Sequence, residues 1–257
     1  MASATNAIII LAAGESTRME SFLPKVLHKV GGRPILARIL EEAEKTNPFK
    51  IYIVVGKDTE RVKNALYADE NCLMENLEFI SQPYALGTGN AVLCCVEHMK
   101  RSGLYENGAI ITILPGDVPL LKSATIQRMS DRFRCDARVM VTHLEYPFGY
   151  GRIIEDETKK FISVVEERDC NQRELQITHV NCGIYTFRYD VLETFLPQIK
   201  PDTYHNDYHF TDIFEIIVCS DNNKHVELIE IPTEIKHEVY GVNTRKDLIK
   251  IEHILNH

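Results

Sequence analysis

The N-terminal half of the chain alternates short aliphatic runs with segments of helical periodicity. Continuous runs rich in Ile, Val and Leu predict buried strands over residues 7–12, 51–55, 77–81, 109–114 and 137–143. Apolar residues at helical spacing predict helices over residues 35–44, 59–66, 91–99 and 123–133. Strands and helices that alternate in this way predict an α/β fold built on a doubly wound, mostly parallel sheet.

The pattern changes after Tyr146, where helices no longer separate each strand from the next. Two short apolar segments around a polar turn predict a hairpin within residues 149–169. Further strands are predicted over 179–189 and 224–232, and helices over 210–220 and 244–257. We interpret residues 1–257 as one domain with a larger lobe (about 1–145), a smaller lobe (about 146–257) and a cleft between them.

Composition and charge restrict the class of protein. Hydrophobic residues make up 44% of the 257 residues, which is typical of a globular chain. The net charge of −8 argues against wrapping nucleic acid, although a few cations in a cleft suffice to bind a small phosphate. The sequence has no signal-peptide pattern and no apolar run of the roughly 20 residues that span a bilayer. Because its seven cysteines form no CxxC pair, we expect free thiols, a cytoplasmic location and no membrane partner.

Three loops of small and polar residues follow predicted strands. Ligands of open α/β sheets bind beyond the carboxyl ends of the strands, so these loops are candidate binding segments. In the first loop, the small residues Ala12, Ala13 and Gly14 allow a ligand close to the backbone. Arg18 and Lys25 add positive charge, and the first loop is therefore a candidate phosphate site.

The second and third loops supply different chemistry. Gly87 and Gly89 flank Thr88 just before a predicted helix, where amide groups and a hydroxyl suit an anion. The side-chain amide of Gln82 offers a donor and an acceptor to the edge of a nucleobase. Asp117 follows a buried strand, where a carboxylate is able to hold a divalent cation.

Each loop also has an ordinary structural interpretation. A glycine-rich segment after a strand is often a plain turn, an aspartate there is often a helix cap, and a single cation is often solvated. The spacing matches neither the P-loop pattern GxxxxGK[ST] nor the dinucleotide pattern GxGxxG, which disfavours an NAD-dependent dehydrogenase. Three such loops at one edge of a sheet nevertheless favour a nucleotide or sugar phosphate as ligand.

Eight short segments occur in an order that is similar to sugar-1-phosphate nucleotidyltransferases. They are LAAGESTRM…LPKVLH, QPYALGTGNAV, PGDVPLL, GYGRI, VVEERD, VNCGIY, FTDI and YGVNTR. The resemblance extends from about residue 7 to residue 245 and is strongest to the uridyltransferase domain of the bacterial GlmU proteins. It implies a Rossmann-like fold of the nucleotide-diphospho-sugar transferase type, with nucleotide bound by the first lobe and sugar by the second.

The resemblance also implies a reaction. UTP and N-acetylglucosamine 1-phosphate would give UDP-N-acetylglucosamine and pyrophosphate, by in-line attack on the α-phosphate with Mg²⁺ as cofactor. Two alternatives stay open: a transferase for another sugar 1-phosphate, such as glucose 1-phosphate, or an inactive regulatory protein that binds a nucleotide sugar. The presence of Arg18, Lys25, Asp117 and Asn243 argues against the regulatory protein, because a protein that only binds a nucleotide sugar does not need a pair of metal-binding residues.

The resemblance assigns roles residue by residue. Arg18 and Lys25 would be catalytic: Arg18 would meet the triphosphate and Lys25 the α-phosphate, and Asp117 and Asn243 would hold Mg²⁺. The implied nucleotide-binding residues are Leu11, Ala12, Ala13, Gly14, Gln82, Gly87 and Thr88. The implied sugar-binding residues are Gly151, Glu166, Asn181 and Thr211. Taken by themselves, Glu166 and Glu167 are equally an exposed hairpin pair, and Asn181 and Asn243 are equally turn residues.

The sequence departs from the family pattern at three places. Ser16 stands where glycine is usual, which puts the geometry of the first loop in doubt, and Pro115 replaces an aromatic residue, which puts strict sugar specificity in doubt. No hexapeptide repeat follows the last predicted helix, so we expect no left-handed β-helix, no acetyltransferase activity and no trimer mediated by a β-helix. The sequence leaves the oligomeric state open.

Overall fold

The structure is a computed structural model that describes residues 6–14, 17–70, 72, 75–103, 105, 108–203, 206–220 and 224–256. Its strands are β1 (Asn6–Leu11), β2 (Lys29–Val30), β3 (Arg33–Pro34), β4 (Lys50–Val55), β5 (Leu77–Ser81), β6 (Ile110–Pro115), β7 (Ala137–His143), β8 (Arg152–Glu155), β9 (Phe161–Val165), β10 (His179–Arg188) and β11 (Val226–Glu230). Its α-helices are α1 (Ile35–Glu44), α2 (Thr59–Tyr67), α3 (Gly87–Ser102), α4 (Ser123–Ser130), α5 (Tyr189–Phe195), α6 (Asp212–Val218) and α7 (Arg245–Leu255).

One large sheet runs through the molecule in the order β11-β7-β10-β6-β1-β4-β5. The pairs β6–β1, β1–β4, β4–β5 and β7–β11 are parallel, whereas β10 runs antiparallel to both β6 and β7. Helices flank this sheet, which confirms the predicted α/β fold with a mostly parallel sheet. No left-handed β-helix occurs among the described residues, and none of their helices has the length and apolar character required to cross a membrane.

The sheet is buried on both faces. Along β1, Ala7 and Ile9 belong to the hydrophobic core on one face, while Ile8 and Ile10 belong to the core on the other. This arrangement explains the continuous aliphatic run, because a strand covered by helices on both sides needs apolar residues at every position. It also leaves the carboxyl ends of the strands, rather than their faces, as the places where polar loops meet solvent.

Among the differences from the predicted helices, two concern the cleft and the core. Helix α3 begins at Gly87, four residues before the predicted start at position 91, so the glycine-rich loop forms its first turn. Glycine is a poor helix former, and only tertiary contacts hold that turn in a helix. Helix α5 was not predicted; its buried Tyr189, Leu192 and Phe195 pack into the same core as β10.

Strands of the second half complete the central sheet. The predicted hairpin is present as β8 and β9, which pair antiparallel, and β8 contacts β10 at Val180. Because β10 lies between β6 and β7, the sheet draws strands from both sides of residue 145. The division into two lobes at that residue stays a prediction.

Candidate active site

The loops beyond the carboxyl ends of β1, β5 and β6 border a cleft of about 1250 Å³. Every residue to which the resemblance assigns a role lines it: Leu11, Ala12, Ala13, Gly14, Arg18, Lys25, Gln82, Gly87, Thr88, Asp117, Gly151, Glu166, Asn181, Thr211 and Asn243. The fold therefore brings together residues that lie up to 232 positions apart; their individual roles stay proposals.

A cluster of charged and amide groups lines the cleft. The Lys25 ammonium lies 2.5 Å from Asp117 Oδ2 and donates a 3.0 Å hydrogen bond to Asn243 Oδ1. Arg18 Nη2 donates to the same Asn243 oxygen at 3.1 Å. The side chains of Lys25 and Asp117 are each 19% exposed, so the ion pair is accessible from the cleft.

The donor set of this cluster fits a hard divalent cation. A carboxylate oxygen of Asp117 and an amide oxygen of Asn243 converge on one positive charge, the Lys25 ammonium. Oxygen ligands of these two types are those that Mg²⁺ uses in proteins, together with water and substrate phosphates. Asp117 and Asn243 are thus the residues that would hold such an ion.

Backbone contacts between loops hold Asp117 in place. The Gly116 N–H donates to the Leu11 carbonyl at 2.9 Å, which ties the loop after β6 to the end of β1. A Cβ at position 116 would stand 2.4 Å from that carbonyl oxygen, so glycine is required there. The Val242 N–H donates to the Asp117 carbonyl at 2.8 Å, which fixes the segment that carries Asn243.

The start of α7 orients Asn243. Thr244 and Asp247 form a reciprocal capping box, in which Asp247 N donates to Thr244 Oγ1 at 3.2 Å and Thr244 N donates to Asp247 Oδ2 at 2.7 Å. The same Asp247 oxygen accepts from Asn243 N at 3.0 Å. The capping box thus fixes the backbone of Asn243, the residue immediately before the N-cap. The Thr-x-x-Asp spacing is the signal in the sequence that predicts such a capping box.

The cleft beyond β4 and β5 is the candidate nucleobase end. Gln82 is buried, and its Nε2 donates to the Gly87 carbonyl and to Asn90 Oδ1, both at 3.0 Å. These two bonds occupy the donor side of the amide and leave Oε1 as an acceptor. Asn90 orients the amide; it lies within the segment QPYALGTGNAV, but sequence reasoning assigned it no role.

The glycine-rich turn packs against the segment before α6. Gly89 N donates to the Tyr208 carbonyl at 2.7 Å, and Phe210 N donates to Thr88 Oγ1 at 3.1 Å. A Cβ on Gly87, whose φ is +88°, would stand 2.6 Å from the Tyr208 carbonyl oxygen. Gly87 and Thr88 line the cleft as expected, but their contacts also join the two sides of it.

The hairpin and β10 provide the candidate sugar end. The buried Thr211 hydroxyl donates to Glu166 Oε1 at 2.9 Å, so Glu166 is fixed in the cleft rather than solvated. Asn181 is 7% exposed; its Nδ2 donates to the Tyr185 hydroxyl at 2.7 Å, and its Oδ1 accepts from Gly183 N at 3.0 Å. Each side-chain end of Asn181 keeps one further hydrogen-bonding position, because an amide has two N–H groups and two lone pairs.

The loop between β7 and β8 is held by a buried arginine that sequence reasoning missed. Arg152 is 2% exposed and donates to the carbonyls of Pro147 and Tyr150. It also contacts Glu167 at 3.4 Å, and Glu167 accepts a hydrogen bond from Gly149 N. Glu166 and Glu167 both line the cleft, but they have different partners: Glu166 bonds Thr211, whereas Glu167 anchors the loop through Gly149 and Arg152.

Two tyrosines beside these groups stay protonated at neutral pH. Burial raises the pKa of Tyr150 to about 12, against a backbone hydrogen bond from Gly241 that lowers it. Burial, together with the nearby charge of Glu166, raises the pKa of Tyr185, whereas the hydrogen bond with Asn181 acts the other way. Both hydroxyls therefore remain neutral hydrogen-bonding groups.

The two single-residue departures from the family pattern, Ser16 and Pro115, have different outcomes. Ser16 lies outside the described residues. Pro115 is the last residue of β6 and lines the cleft, where a Cβ on Gly183 would stand 3.7 Å from its Cγ. The effect of Pro115 on specificity stays a prediction.

Comparison with known proteins identifies relatives over nearly the whole chain. Residues 8–174 match the model of the MobA-like NTP transferase domain. The chain is 36% identical over 253 residues to the bifunctional protein GlmU of Clostridium kluyveri, covering 97% of this chain and 52% of that protein. It is 35% identical over 250 residues to a probable UDP-N-acetylglucosamine pyrophosphorylase of Acanthamoeba polyphaga mimivirus, covering 95% of that protein.

A solved structure supports the fold. The crystal structure of HddC from Yersinia pseudotuberculosis aligns with a TM-score of 0.67 at 18% identity, over 97% of this chain and 99% of that one. At this identity the likeness shows the fold alone. The chain spans about half the length of its GlmU relatives, 52% for the Clostridium kluyveri protein.

Proposed function

The chain belongs to the family of MobA-like NTP transferase domains, and from this membership we propose that it is a nucleotidyltransferase that makes UDP-N-acetylglucosamine. The substrates are UTP and N-acetylglucosamine 1-phosphate, and pyrophosphate is released. The observation that carries the proposal is the cluster of Lys25, Asp117 and Asn243, which lines the same cleft as the candidate nucleobase and sugar residues.

The cationic residues of the cleft act on the phosphates. The attack joins a sugar phosphate oxygen to the α-phosphorus and expels pyrophosphate, so two anionic groups must approach each other. The exposed Arg18 and the Lys25 ammonium offset this repulsion and the charge on the leaving group. Because Lys25 has a flexible stem, its ammonium is able to exchange the Asp117 carboxylate for a phosphate oxygen. The proposed cofactor Mg²⁺, held by Asp117 and Asn243, supplies further positive charge when bound.

The two ends of the cleft give the proposed specificity. Gln82 Oε1 would accept a hydrogen bond from N3–H of uracil, whereas N3 of cytosine is an acceptor and would leave Oε1 unpaired. Glu166 and Asn181 would bind the sugar hydroxyls and the N-acetyl group. Sugar hydroxyls donate hydrogen bonds, so neutral and anionic acceptors such as these suit a sugar better than the cations Arg18 and Lys25 do. The charged substrates do not cross membranes, which fits the expected cytoplasmic location.

Pyrophosphate release tests the proposal. The protein is incubated with UTP and Mg²⁺, and with N-acetylglucosamine 1-phosphate, N-acetylgalactosamine 1-phosphate or glucose 1-phosphate. We expect release with the first sugar and a loss of at least about a hundredfold in Asp117→Ala, because the residue that holds the divalent ion is removed. Asp131→Ala, an exposed aspartate after α4, serves as the matched control.

The outcomes separate the parts of the proposal. Release with a different sugar phosphate would keep the transferase and replace the assignment of the sugar pocket. Folded protein that binds UTP but releases no pyrophosphate with any of the three sugars would overturn the enzymatic function in favour of a nucleotide-sugar-binding regulator.

A further inference from the structure

A cluster of histidines and a glutamate lies at the ends of three strands, outside the residues discussed above. His143 ends β7, His179 begins β10, and the two residues are direct partners in the sheet. Glu230 ends β11, the neighbour of β7 on its other side. One candidate ligand atom from each of His143, His179 and Glu230 lies within 4.8 Å of the other two.

We propose that His143, His179 and Glu230 form a binding site for a divalent transition cation of the Zn²⁺ type. Two imidazoles and a carboxylate are a ligand set that Zn²⁺ uses with water as a fourth ligand, whereas Mg²⁺ prefers oxygen alone. Ligands about 2.0–2.2 Å from one tetrahedral ion are about 3.3 Å apart. His179 Nε2 and Glu230 Oε2 are already 3.3 Å apart.

The hydrogen bonding of the two rings leaves ligand atoms available. His143 Nδ1 lies 3.4 Å from the Thr178 hydroxyl, which leaves Nε2 of that ring for a cation. His179 Nδ1 faces Glu155 Oε2 at 3.8 Å, while its Nε2 is buried and makes no hydrogen bond within the described structure. A histidine with one nitrogen beside an outer oxygen and the other free is the usual arrangement of a metal ligand.

The sheet holds these groups together before any ion binds. The rings of His143 and His179 stack with centroids 4.5 Å apart and planes 14° from parallel. The side chain of His179 is 15% exposed and that of Glu230 is 51% exposed, so an ion has access from solvent. To form the site, the exposed side chains of His143 and Glu230 would have to rotate so that the ligand atoms, now within 4.8 Å of one another, come to about 3.3 Å.

The ion would sit beside the sugar end of the cleft without belonging to it. Leu144 and Glu145, which follow His143, line the cleft, as does Asn181 two residues after His179. A bound ion would tie the ends of β7, β10 and β11 to one another. It would therefore stabilise the strands that carry the sugar end, independently of the Asp117–Asn243 pair.

Zinc titration of the full chain tests the inference. Metal-stripped protein is titrated with Zn²⁺ by calorimetry in excess Mg²⁺, and with Co²⁺ by visible absorption. We expect one high-affinity Zn²⁺ ion per chain, a Co²⁺ spectrum with histidine ligands, and a higher melting temperature with Zn²⁺ because the ion binds only the folded state. The affinity should fall at least about tenfold in His143→Ala, His179→Ala and Glu230→Gln.

Matched variants distinguish this site from others that take zinc. His98→Ala removes a histidine that pairs with Glu78 at 2.8 Å without a second histidine, and it should leave the affinity unchanged. Asp117→Ala tests the cleft, and Cys219→Ser tests an exposed thiol. Zinc binding that survives in both His143→Ala and Glu230→Gln, or that is absent from the wild type, would overturn the inference. His143 and Glu230 are exposed, so their variants decide the question even if His179→Ala fails to fold.

Discussion

The Lys25 ammonium lies 2.5 Å from a carboxylate oxygen of Asp117, although 92 positions separate the two residues in the chain. The contact places a protein cation at the point where the Asp117 and Asn243 oxygens converge. Under the proposed function, a divalent ion held by Asp117 and Asn243 would compete with the lysine for these oxygens, and its binding would displace the lysine. This competition leads to the first prediction.

Replacing Lys25 by methionine should separate metal binding from turnover. Lys25→Met removes the competing ammonium, so the affinity for Mn²⁺ or Mg²⁺ should rise several-fold. Turnover should fall by about a hundredfold or more, because a group that stabilises charge on the phosphates is lost. Mn²⁺ binding by paramagnetic resonance and pyrophosphate release measure the two effects, with Lys29→Met, an exposed lysine, as control. Equal losses of metal affinity and turnover would contradict the competition.

Asn90 should influence the choice of base through Gln82. Because Asn90 Oδ1 accepts from Gln82 Nε2, Asn90→Ala allows the Gln82 amide to rotate and present its N–H₂ group to the base. Discrimination between UTP and CTP should weaken in both Asn90→Ala and Gln82→Ala, by about tenfold for one lost hydrogen bond. The measurement is kcat/KM for each nucleotide. Full discrimination in both variants would mean that the base is recognised elsewhere.

Thr211 should act on the sugar substrate through Glu166. Thr211→Val keeps the shape but removes the hydroxyl that bonds Glu166 Oε1, so KM for the sugar phosphate should rise several-fold while KM for UTP stays constant. Thr211→Ser retains a hydroxyl and should restore most of the affinity. If valine and serine behave alike, the hydroxyl does not position Glu166.

Alanine should be far more harmful at Gly87 than at Gly103. Both glycines have positive φ, so each alanine variant should lose about 1–2 kcal/mol of unfolding free energy through backbone strain. Only at position 87 does a Cβ also meet backbone, 2.6 Å from the Tyr208 carbonyl oxygen, whereas position 103 has nothing within 4 Å. Urea unfolding should show the larger loss for Gly87→Ala, together with loss of activity. Equal losses would show that the Tyr208 contact adjusts freely.

Asp136 should make the stability depend on pH in the acid range. Burial alone would raise the pKa of Asp136, but bonds from His225 N at 2.8 Å and Lys224 Nζ at 3.0 Å, with the charge of Arg188, lower it below its ordinary value of 3.8. The folded state therefore binds fewer protons than the unfolded state in this range, so stability is lost as pH falls from 3.8 through the lowered pKa.

An asparagine at position 136 tests this dependence. Asp136→Asn should cost about 1–3 kcal/mol at pH 7, since it weakens a partly buried, charge-assisted set of hydrogen bonds. The difference in melting temperature between wild type and variant should shrink as pH falls through the same range. A difference that stays constant down to acid pH would show that Asp136 does not titrate with unfolding.

The predictions from sequence held where local pattern and burial agree. The aliphatic runs of β1 and β4 predicted buried strands, and the small residues after β1 predicted a loop at the edge of the sheet where ligands bind. The prediction missed helix α5 and the early start of α3. Glycines and short amphipathic segments have only a weak intrinsic preference for helix, so these helical turns depend on tertiary contacts that the sequence does not show. Asn90 and Arg152 lie in the segments QPYALGTGNAV and GYGRI, but their roles were missed because those roles are contacts with Gln82 and with the Pro147 and Tyr150 carbonyls, which residue type and spacing do not reveal.

By itself, the sequence determined the type of fold, the loops that face the ligand edge and the residue types available there, since these depend on period, turn chemistry and side-chain identity. Only the tertiary structure decided which residues meet. It placed the Lys25 ammonium between Asp117 and Asn243 and stacked His143 on His179. It also gave Glu166 and Glu167 different partners, Thr211 and Arg152. The physical reason is that strand order and register set distances between residues far apart in the chain, and no local pattern encodes them.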